Sequence, residues 1–377
     1  MMMRSVTVRL SPLVVAIVTL AACGGAAAPG SAAASAAAKP SAAASASAVA
    51  SAKPAPASSA SASAAAKPSG SADKVTFAYT SVSPASATWW VVKESGSWAK
   101  YGFDVTLQFI DTGNLLTQAL IGGSLDIAGD SGVDVLTAAG AGNKDLVMLS
   151  LNTTTLTDIL IVTPDINQAS DLKGKKVGIS KIGSEGDFTM IQALKGLGLD
   201  PDKDVTRLQI GTEGPRLAAL KAGTISAGAQ DISATPQIKQ LGLKVMASLV
   251  DMKLLYAKQG VTLKRSYLQS HQDLVTRFMK GYLEGIAFYK DPKNRDKSLQ
   301  YINMYMKTDP EVVANVYDSY SKLQAAKPYP QKDAFEKTKE FTAETVPALK
   351  NLDVTTVYDD SMLRQLDSSG FIDALYK

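Results

Sequence analysis

The chain contains one cysteine and one histidine in 377 residues, which limits the covalent and acid–base chemistry open to it. Cys23 follows Leu20-Ala21-Ala22, and His271 stands at the predicted start of a late helix, where a cap or surface role suits it better than that of a base. This count excludes a Cys/His metal site, and a Ser/His/Asp arrangement can form only around His271. The sequence has neither a Gly-x-Ser-x-Gly motif nor a phosphate-cradling loop. We therefore predict no catalytic residue, no metal, no cofactor and no enzymatic activity.

Small polar residues cluster instead in loops that follow predicted strands. Helix N-termini present free N–H groups and a positive dipole end, so several of them around one cleft can bind an oxyanion without a charged side chain. Each Ser, Thr or Asp there can equally be a simple helix cap. The predicted ligand-binding residues are Ser81, Ser83, Thr88, Trp89, Trp90, Gly113, Asn114, Asp130 and Ser131 in a first lobe, and Gly183, Ser184, Glu185 and Asp231 in a second.

The pair Trp89-Trp90 indicates an aromatic wall. Adjacent helix residues point roughly 100° apart, so we expect one ring in the core and the other in the cleft. Basic side chains are scarce in these loops, with Lys181 and Arg216 the nearest candidates. Because bidentate recognition of a sulfonate or phosphate favours Arg, the pattern favours a ligand of modest charge with an apolar or aromatic body.

Strands that alternate with helices over short loops position these residues and predict an α/β fold with a largely parallel sheet. Predicted strands over 74–80, 103–110 and 125–128 alternate with helices over 88–99 and 115–121, and a similar series begins near Asp165. The segments 119–126 and 219–226 correspond, since in each a helix ends at a Gly and a strand follows. Helix–Gly–strand is common in α/β proteins, but the 100-residue offset favours two similar lobes. From Ser270 onward the pattern is helical.

The N-terminal segment has a different composition. Arg4 and Arg9 precede a short apolar run over 10–20, which is about half of the ~20 residues that a membrane-spanning helix needs. Residues 1–22 together with Cys23 resemble a bacterial lipoprotein signal, in which the cysteine becomes the lipidated first residue; the alternative is an ordinary signal peptide. Residues 23–73 are almost entirely Ala, Ser, Pro and Gly after the cysteine, which predicts a disordered tether.

The charge balance excludes a strongly basic surface. Five of the 39 basic residues and one of the 35 acidic residues precede position 74, so residues 74–377 carry 34 of each. A nucleic-acid-binding domain would present a basic face. We therefore expect no nucleic-acid partner, and about 300 residues are enough for two α/β lobes.

Several segments, in order, resemble the nitrate/sulfonate/taurine (NitT/TauT) class of ABC-transporter substrate-binding proteins, which includes binders of thiamine-precursor pyrimidines. The matching stretches are WAKYGFDV (98–105), QALIGGSLDIA (118–128), DLKGKKVG (171–178), ALKAG (219–223) and RFMKGYLEG (277–285). One departure is Ser226, where the class usually has Asp. We expect that change to affect a strand edge rather than the ligand.

The resemblance implies a two-lobed periplasmic-binding-protein-like fold of type II, with ligand held between the lobes and closure about two hinge crossings. The implied lobes are 74–162 with 255–377 (lobe 1, carrying a helical C-terminal extension) and 163–254 (lobe 2). The crossings fall near 160–163 and 253–257.

The function implied is that of the extracytoplasmic solute-binding component of an ABC importer. It would be a monomer lipid-anchored to the cell membrane, and would deliver a sulfonate, thiamine-precursor pyrimidine or aromatic acid to permease and ATPase subunits. A ligand-binding module for a membrane sensor is one alternative. A pyrimidine-synthesising enzyme on the same fold is the other; relatives of that kind use His, Lys and a Cys-rich iron motif, and this chain has no Cys-rich motif.

Overall fold

The computed structural model describes residues 71–110 and 112–377. The predicted signal peptide, Cys23 and the tether up to residue 70 lie outside the described residues. The strands are β1 (Asp73–Tyr79), β2 (Phe103–Phe109), β3 (Ile127–Asp130), β4 (Leu146–Met148), β5 (Thr153–Thr155), β6 (Asp158–Val162), β7 (Lys175–Ile179), β8 (Val205–Gln209), β9 (Ala227–Asp231), β10 (Lys244–Ser248) and β11 (Leu255–Lys264). The helices are α1 (Ala87–Glu94), α2 (Ser97–Lys100), α3 (Gly113–Gly122), α4 (Gly132–Gly140), α5 (Glu185–Gly196), α6 (Glu213–Lys221), α7 (Thr235–Gln240), α8 (Arg265–Ser270), α9 (Gln272–Lys290), α10 (Arg295–Met306), α11 (Pro310–Leu323), α12 (Lys332–Thr345), α13 (Ser361–Ser368) and α14 (Phe371–Ala374).

The strands form two sheets, each the centre of one lobe. The first sheet has the order β2-β1-β3-β11-β4, with β5 also paired to β11, and the second has the order β10-β6-β9-β7-β8. In each sheet three strands are parallel (β2-β1-β3 and β8-β7-β9), and an antiparallel strand, β11 or β6, follows the third. The predicted two-lobed α/β architecture is confirmed.

The helix–Gly–strand correspondence has a structural basis. Gly123 and Gly223 both have positive φ (77° and 67°), so each ends its helix in the left-handed conformation that glycine adopts most readily. The strands that follow, β3 and β9, are buried along their whole length and are third in the order of their sheets. Parallel strands that are buried on both faces typically consist of short runs of small or apolar residues.

A cluster of large aromatic residues forms one side of the lobe 1 core. Trp89, Trp90 and Trp98 are all at most 1% exposed, and they pack with residues of β1 and α9. The sequence predicted one helix over 88–99, whereas α1 and α2 are separate helices. Gly96, with φ of 74°, turns the chain between them and lets Trp98 enter the core beside Phe278.

The first hinge crossing was predicted in the wrong place. Residues 160–163 were expected to cross between lobes, but β6 lies inside the second sheet, paired on one side with β9 and on the other with β10. The chain therefore passes from lobe 1 to lobe 2 between β5 and β6, and lobe 2 begins before residue 163. The second predicted crossing, 253–257, overlaps the start of β11, where Leu255 pairs with Thr155 of β5.

The C-terminal region is helical, as predicted, and most of it packs on lobe 1. Helix α9 contacts α1 and α2, and α12 contacts α4 and β11. Phe341 of α12 reaches further, because its ring lies 4.1 Å from that of Phe188 in the lobe 2 core. Among residues 71–110 and 112–377, no helix combines the length and the apolarity needed to cross a bilayer.

Candidate ligand-binding cleft

A cleft of about 610 Å³ lies between the two lobes, within the range of small-molecule sites. Lobe 1 contributes the loop after β1, the end of β2, the start of α4 and part of β11. Lobe 2 contributes the start of β6, the end of β9, and the loops and first turns before and within α5 and α6. The lining residues are Thr80, Ser81, Val82, Ser83, Ala85, Phe109, Ser131, Asp158, Ser180, Glu185, Gly186, Thr189, Thr212, Glu213, Gly214, Arg216, Asp231, Lys258 and Gln259.

Sheet topology brings these segments together. In the order β2-β1-β3 the loops after β1 and β3 leave the same edge of the sheet, and in the order β8-β7-β9 the loops after β7 and β9 do the same. Open α/β sheets form their crevice at such switch points, outside the carboxyl ends of the strands. The site is therefore a consequence of strand order in both lobes.

Lys258 links the two walls of the cleft. Its Nζ donates to Glu185 Oε1 at 2.6 Å and lies 3.7 Å from Asp158 Oδ2. Burial by itself would lower the pKa of Lys258, but Glu185 and Asp158 together raise it above its ordinary value. Lys258 thus stays charged, on the strand that leads back into lobe 1.

Three acidic side chains of lobe 2, those of Asp158, Glu213 and Asp231, lie close enough to interact electrostatically. Asp158 and Asp231 are directly paired on β6 and β9. Burial raises the pKa of Asp158 to about 6 even though Lys258 lowers it. Burial, together with Asp231 and Asp158, raises the pKa of Glu213 to about 7. Like charges on facing strand positions are unfavourable, so these carboxylates repel one another when they are ionised.

The other cationic side chain of the cleft, that of Arg216, already donates hydrogen bonds to backbone carbonyl groups. Arg216 is 5% exposed and donates from Nε and Nη2 to Ala229 O (3.2 and 3.0 Å) and from Nη1 to Gly211 O (2.6 Å). Burial lowers the pKa of its guanidinium, an effect that Glu213 partly offsets. Arg216 therefore stabilises the loop before α6 as well as facing the cleft.

Behind Ser131 lies a pair of carboxyl groups. Asp130 is fully buried and accepts from the Ser131 amide (2.8 Å) and from Thr117 Oγ1 (3.1 Å). Burial, and then the nearby Asp134, raises the pKa of Asp130 well above its usual range. Ser131 Oγ donates to Asp134 Oδ2 at 2.6 Å and caps α4. Asp130 is thus a supporting residue, one layer behind the cleft surface.

Five of the predicted ligand-binding residues line the cleft: Ser81, Ser83, Ser131, Glu185 and Asp231. Ser184 lies beside it, hydrogen-bonded to the lining residue Ser180 at 2.7 Å. Thr88 is buried and donates to Gln324. The remaining predicted residues, Gly113, Asn114, Asp130 and Gly183, are not part of the lining. A Cβ on Gly113 would overlap the Asp134 carboxylate, and one on Gly183 would lie 2.6 Å from Thr345 of α12.

The prediction of an aromatic wall from Trp89-Trp90 is wrong. Both rings are 0% exposed: Trp89 stacks on Tyr282, and Trp90 stacks on Tyr305 at an interplanar angle of 1°. With its amide oriented to satisfy both neighbours, Gln259 accepts from Trp89 Nε1 (3.2 Å) and donates to Ala85 O (3.0 Å). The side chain of Gln259 therefore lines the cleft at this position, and the Trp89 indole does not.

Sequence reasoning missed Asp158, Glu213, Lys258 and Gln259. A usable signal was present for three of them. Asp158 precedes the apolar run ILIV, and Lys258 and Gln259 interrupt an otherwise mostly apolar stretch from Leu254 to Leu263. Charged residues are almost never fully buried unless paired, so a Lys inside a strand-like run indicates a partner across an interface.

Other chemistry lies outside the cleft lining. His271, exposed between α8 and α9, stacks on Tyr267. Across 71–110 and 112–377, no group of three or more His, Cys, Asp or Glu side chains is placed to hold a metal ion.

Known proteins match this chain in sequence and in fold. The NMT1/THI5-like family matches residues 83–294. A predicted binding protein of Brucella abortus is 32% identical over 112 residues, covering 30% of this chain and 34% of the relative, so the chain spans about a third of the length of the curated relatives it matches.

Solved structures share the fold at low identity. The periplasmic sulfonate-binding protein SsuA of Methylobacillus flagellatus aligns with a TM-score of 0.65 at 16% identity, covering 80% of this chain and 96% of that one. A DSZB mutant in complex with biphenyl-2-sulfinic acid aligns with a TM-score of 0.61 at 16% identity, covering 79% and 99%. A periplasmic-binding-protein fold is thus confirmed, and it is a fold that binding proteins share with a desulfurization enzyme.

Proposed function

Because the chain belongs to the NMT1/THI5-like family, we propose that it is the solute-binding component of an ABC importer. It captures a small organic molecule between its lobes and delivers it to permease and ATPase subunits. The observation that carries this proposal is the interlobe cleft of about 610 Å³, to which both lobes contribute strand-end loops. A cleft divided between two lobes allows ligand to drive hinge closure, and the closed form is what a membrane partner can recognise.

The proposed place of action is outside the cytoplasm, on the membrane surface. Two features of the sequence support it: the apolar run over 10–20 followed by Cys23, and the Ala/Ser/Pro-rich segment that separates Cys23 from β1. Lipid chains on Cys23 would anchor the protein, and the segment would let the lobes move above the membrane. We propose that the protein acts there as a monomer.

Binding without turnover is favoured over catalysis. The neighbour DSZB is a desulfurization enzyme, so the fold is compatible with either role. In the described ranges the cleft is lined by hydroxyl, carboxylate, amide, cationic and apolar side chains, without a histidine or cysteine. A membrane sensor would use the same closure, and the presence of permease and ATPase genes beside this one would distinguish import from sensing.

A ligand screen with a blocked cleft tests this function. Thermal unfolding of the full chain would be followed with taurine, alkyl sulfonates, nitrate, thiamine pyrimidines, aromatic carboxylates and organic amines. A true ligand at 100 times its Kd stabilises the native state by ~2.7 kcal/mol. Thr212 lines the cleft and is exposed, so Thr212→Trp should fill the cleft and abolish that stabilisation.

The matched control is Thr106→Trp, at an exposed position of β2 outside the cleft. It should leave the stabilisation intact. If no solute class stabilises the well-folded chain, or if Thr212→Trp leaves every stabilisation unchanged, the proposed function is wrong. Recovery of the hit unaltered after prolonged incubation, by mass spectrometry, would separate binding from turnover.

A further inference from the structure

Negatively charged side chains outnumber positively charged ones in the cleft. Four carboxylate side chains line it (Asp158, Glu185, Glu213, Asp231), against two cationic ones (Lys258 and Arg216). The cationic pair already has partners: Lys258 contacts Glu185 and Asp158, and Arg216 donates to two backbone carbonyl groups. An anionic ligand would have to compete with these contacts and would face the two remaining carboxylates.

The helix N-termini at the cleft do not offer a free anion site either. Each carries an acidic residue in its own first turn: Asp134 in α4, Glu185 in α5 and Glu213 in α6. A carboxylate near a helix N-terminus satisfies the positive end of the dipole. The sequence-based expectation that these termini bind an oxyanion therefore loses its basis, because the chain supplies its own anions there.

Two buried polar atoms at the cleft have no hydrogen-bond partner among the described residues. One is Asp158 Oδ2, which lies 3.7 Å from Lys258 Nζ, and the other is Oγ1 of Thr189, a residue that is 1% exposed. Unpaired buried polar groups are costly and uncommon. Both residues line the cleft. A ligand N–H donor would satisfy Asp158 Oδ2, whereas the Thr189 hydroxyl can pair with either a donor or an acceptor.

The lobe 1 wall provides an apolar counterpart. Val82 and Phe109 are 51% and 47% exposed, unusually high for large apolar residues, and both line the cleft opposite the lobe 2 carboxylates. An apolar group placed against them would be removed from water, which is favourable. The Phe109 ring face can also attract a cation.

We infer that the cleft selects an organic cation: a protonated amine or amidine that binds Asp158 and Glu213, carried on an apolar body that contacts Phe109 and Val82. This inference deepens the proposed solute-binding function and rests on it. It replaces the sulfonate and the aromatic acid of the sequence-based expectation with a ligand of opposite charge.

Three probes of nearly equal shape test the charge preference. Binding of benzamidinium, neutral benzamide and benzenesulfonate to the full chain would be measured by calorimetry at pH 8 and one fixed ionic strength. We expect benzamidinium to bind at least about tenfold more tightly than benzamide, and benzenesulfonate more weakly than either, because carboxylates dominate the cleft. The Thr212→Trp variant should abolish the binding of benzamidinium.

Neutral isosteres of the two carboxylates then locate the cation. Asp158→Asn and Glu213→Gln should each weaken benzamidinium binding by about tenfold or more, with less effect on benzamide. The matched controls Asp104→Asn and Glu311→Gln change exposed acidic residues outside the cleft and should leave the affinity within about twofold. If Asp158→Asn fails to fold, Glu213→Gln alone tests the inference, because the Glu213 substitution removes no ion pair.

The results separate the two proposals. Tighter binding of benzenesulfonate than of benzamidinium, abolished by Thr212→Trp, would overturn the cation inference and leave the solute-binding function standing. Benzamidinium binding that is absent, or equally strong in Glu213→Gln and Glu311→Gln, would also overturn it. The proposed function itself would be removed only by the two outcomes of the wider screen given above: no stabilisation by any solute class, or stabilisation that Thr212→Trp leaves unchanged.

Discussion

Glu213 lies where its ionised form is unfavourable. Its carboxylate is largely buried beside Asp231 and Asp158, and these effects raise its pKa to about 7. An acid whose pKa is raised on folding binds more protons in the native than in the unfolded state. Its contribution to the free energy of unfolding therefore falls as the pH rises from about 4.5 to about 7. Such a cost at a cleft is typical of residues kept for function rather than stability.

We therefore expect Glu213→Gln to stabilise the unliganded protein at pH 8 relative to the wild type. The gain should shrink as the pH falls from about 7 towards about 4.5 and disappear below that range, where Glu213 is protonated in both the native and the unfolded state. Thermal unfolding at several pH values would measure the difference between variant and wild type, which isolates this residue from all other titrating groups.

Glu311→Gln, at an exposed position at the start of α11, is the control for removal of a carboxylate outside the cleft. A Glu213→Gln variant less stable than the wild type at pH 8 would mean that the ionised carboxylate is stabilised by contacts in the native state, contrary to the burial described above.

At the scale of elements, β11 takes part in both the fold and the cleft. It pairs with β3, β4 and β5, and its residues Lys258 and Gln259 line the cleft. Between its two sets of pairings, Gly260 passes so close to Ser150 that an added Cβ would lie 1.6 Å from the Ser150 carbonyl oxygen. Glycine is required here for close backbone approach, not for positive φ.

Gly260→Ala should consequently destabilise the protein by about 3 kcal/mol or more, at the upper end of the overpacking range, because backbone atoms must move. Urea unfolding would measure this loss. The comparison variant Gly122→Ala, in the last turn of α3 with open space around its Cβ, should be neutral or stabilising by up to about 1 kcal/mol. Equal stabilities for the two variants would contradict the close approach.

Helix α11 is a second element that joins the lobes. Tyr320 donates to Asp231 of β9, and its hydroxyl lies 2.9 Å from Thr157 Oγ1. Burial, and then Asp231, raises the pKa of Tyr320 well above its usual value. This phenol fixes the orientation of a cleft carboxylate, which explains why a helix remote in sequence matters to the site.

For the whole molecule, the proposed lipid anchor and the ligand site are expected to be independent. Acyl chains bind membranes through the burial of their CH₂ groups, at about 0.8 kcal/mol each. Cys23→Ser should therefore move the protein from the membrane fraction to the soluble fraction of its native host, while the Kd for any ligand stays within about twofold.

Cell fractionation with metabolic labelling by a radioactive fatty acid would check the first expectation, and calorimetry the second. Persistence of both the label and the membrane association in Cys23→Ser would refute anchoring at this residue. A large change in Kd would instead show that the N-terminal segment takes part in binding.

The sequence by itself determined the local elements and their order. Strand-like alternation, helix periodicity and the Gly123 and Gly223 helix ends depend on neighbours within a few residues, so the α/β class and the two similar lobes were predictable. The prediction that the cleft lies at strand ends needed only the strand order, and residues of the loop after β1 and of the end of β9 are among the lining.

Only the tertiary structure decided which side chains face the cleft. Trp89 and Trp90 entered the core because α9 and α10 cover α1, packing Tyr282 against one and Tyr305 against the other. Lys258 met Glu185, and Asp158 met Asp231, through pairings across long stretches of sequence. Burial and charge depend on such distant partners. For that reason the balance of charges in the cleft, on which the proposed class of ligand rests, is determined only by the tertiary structure.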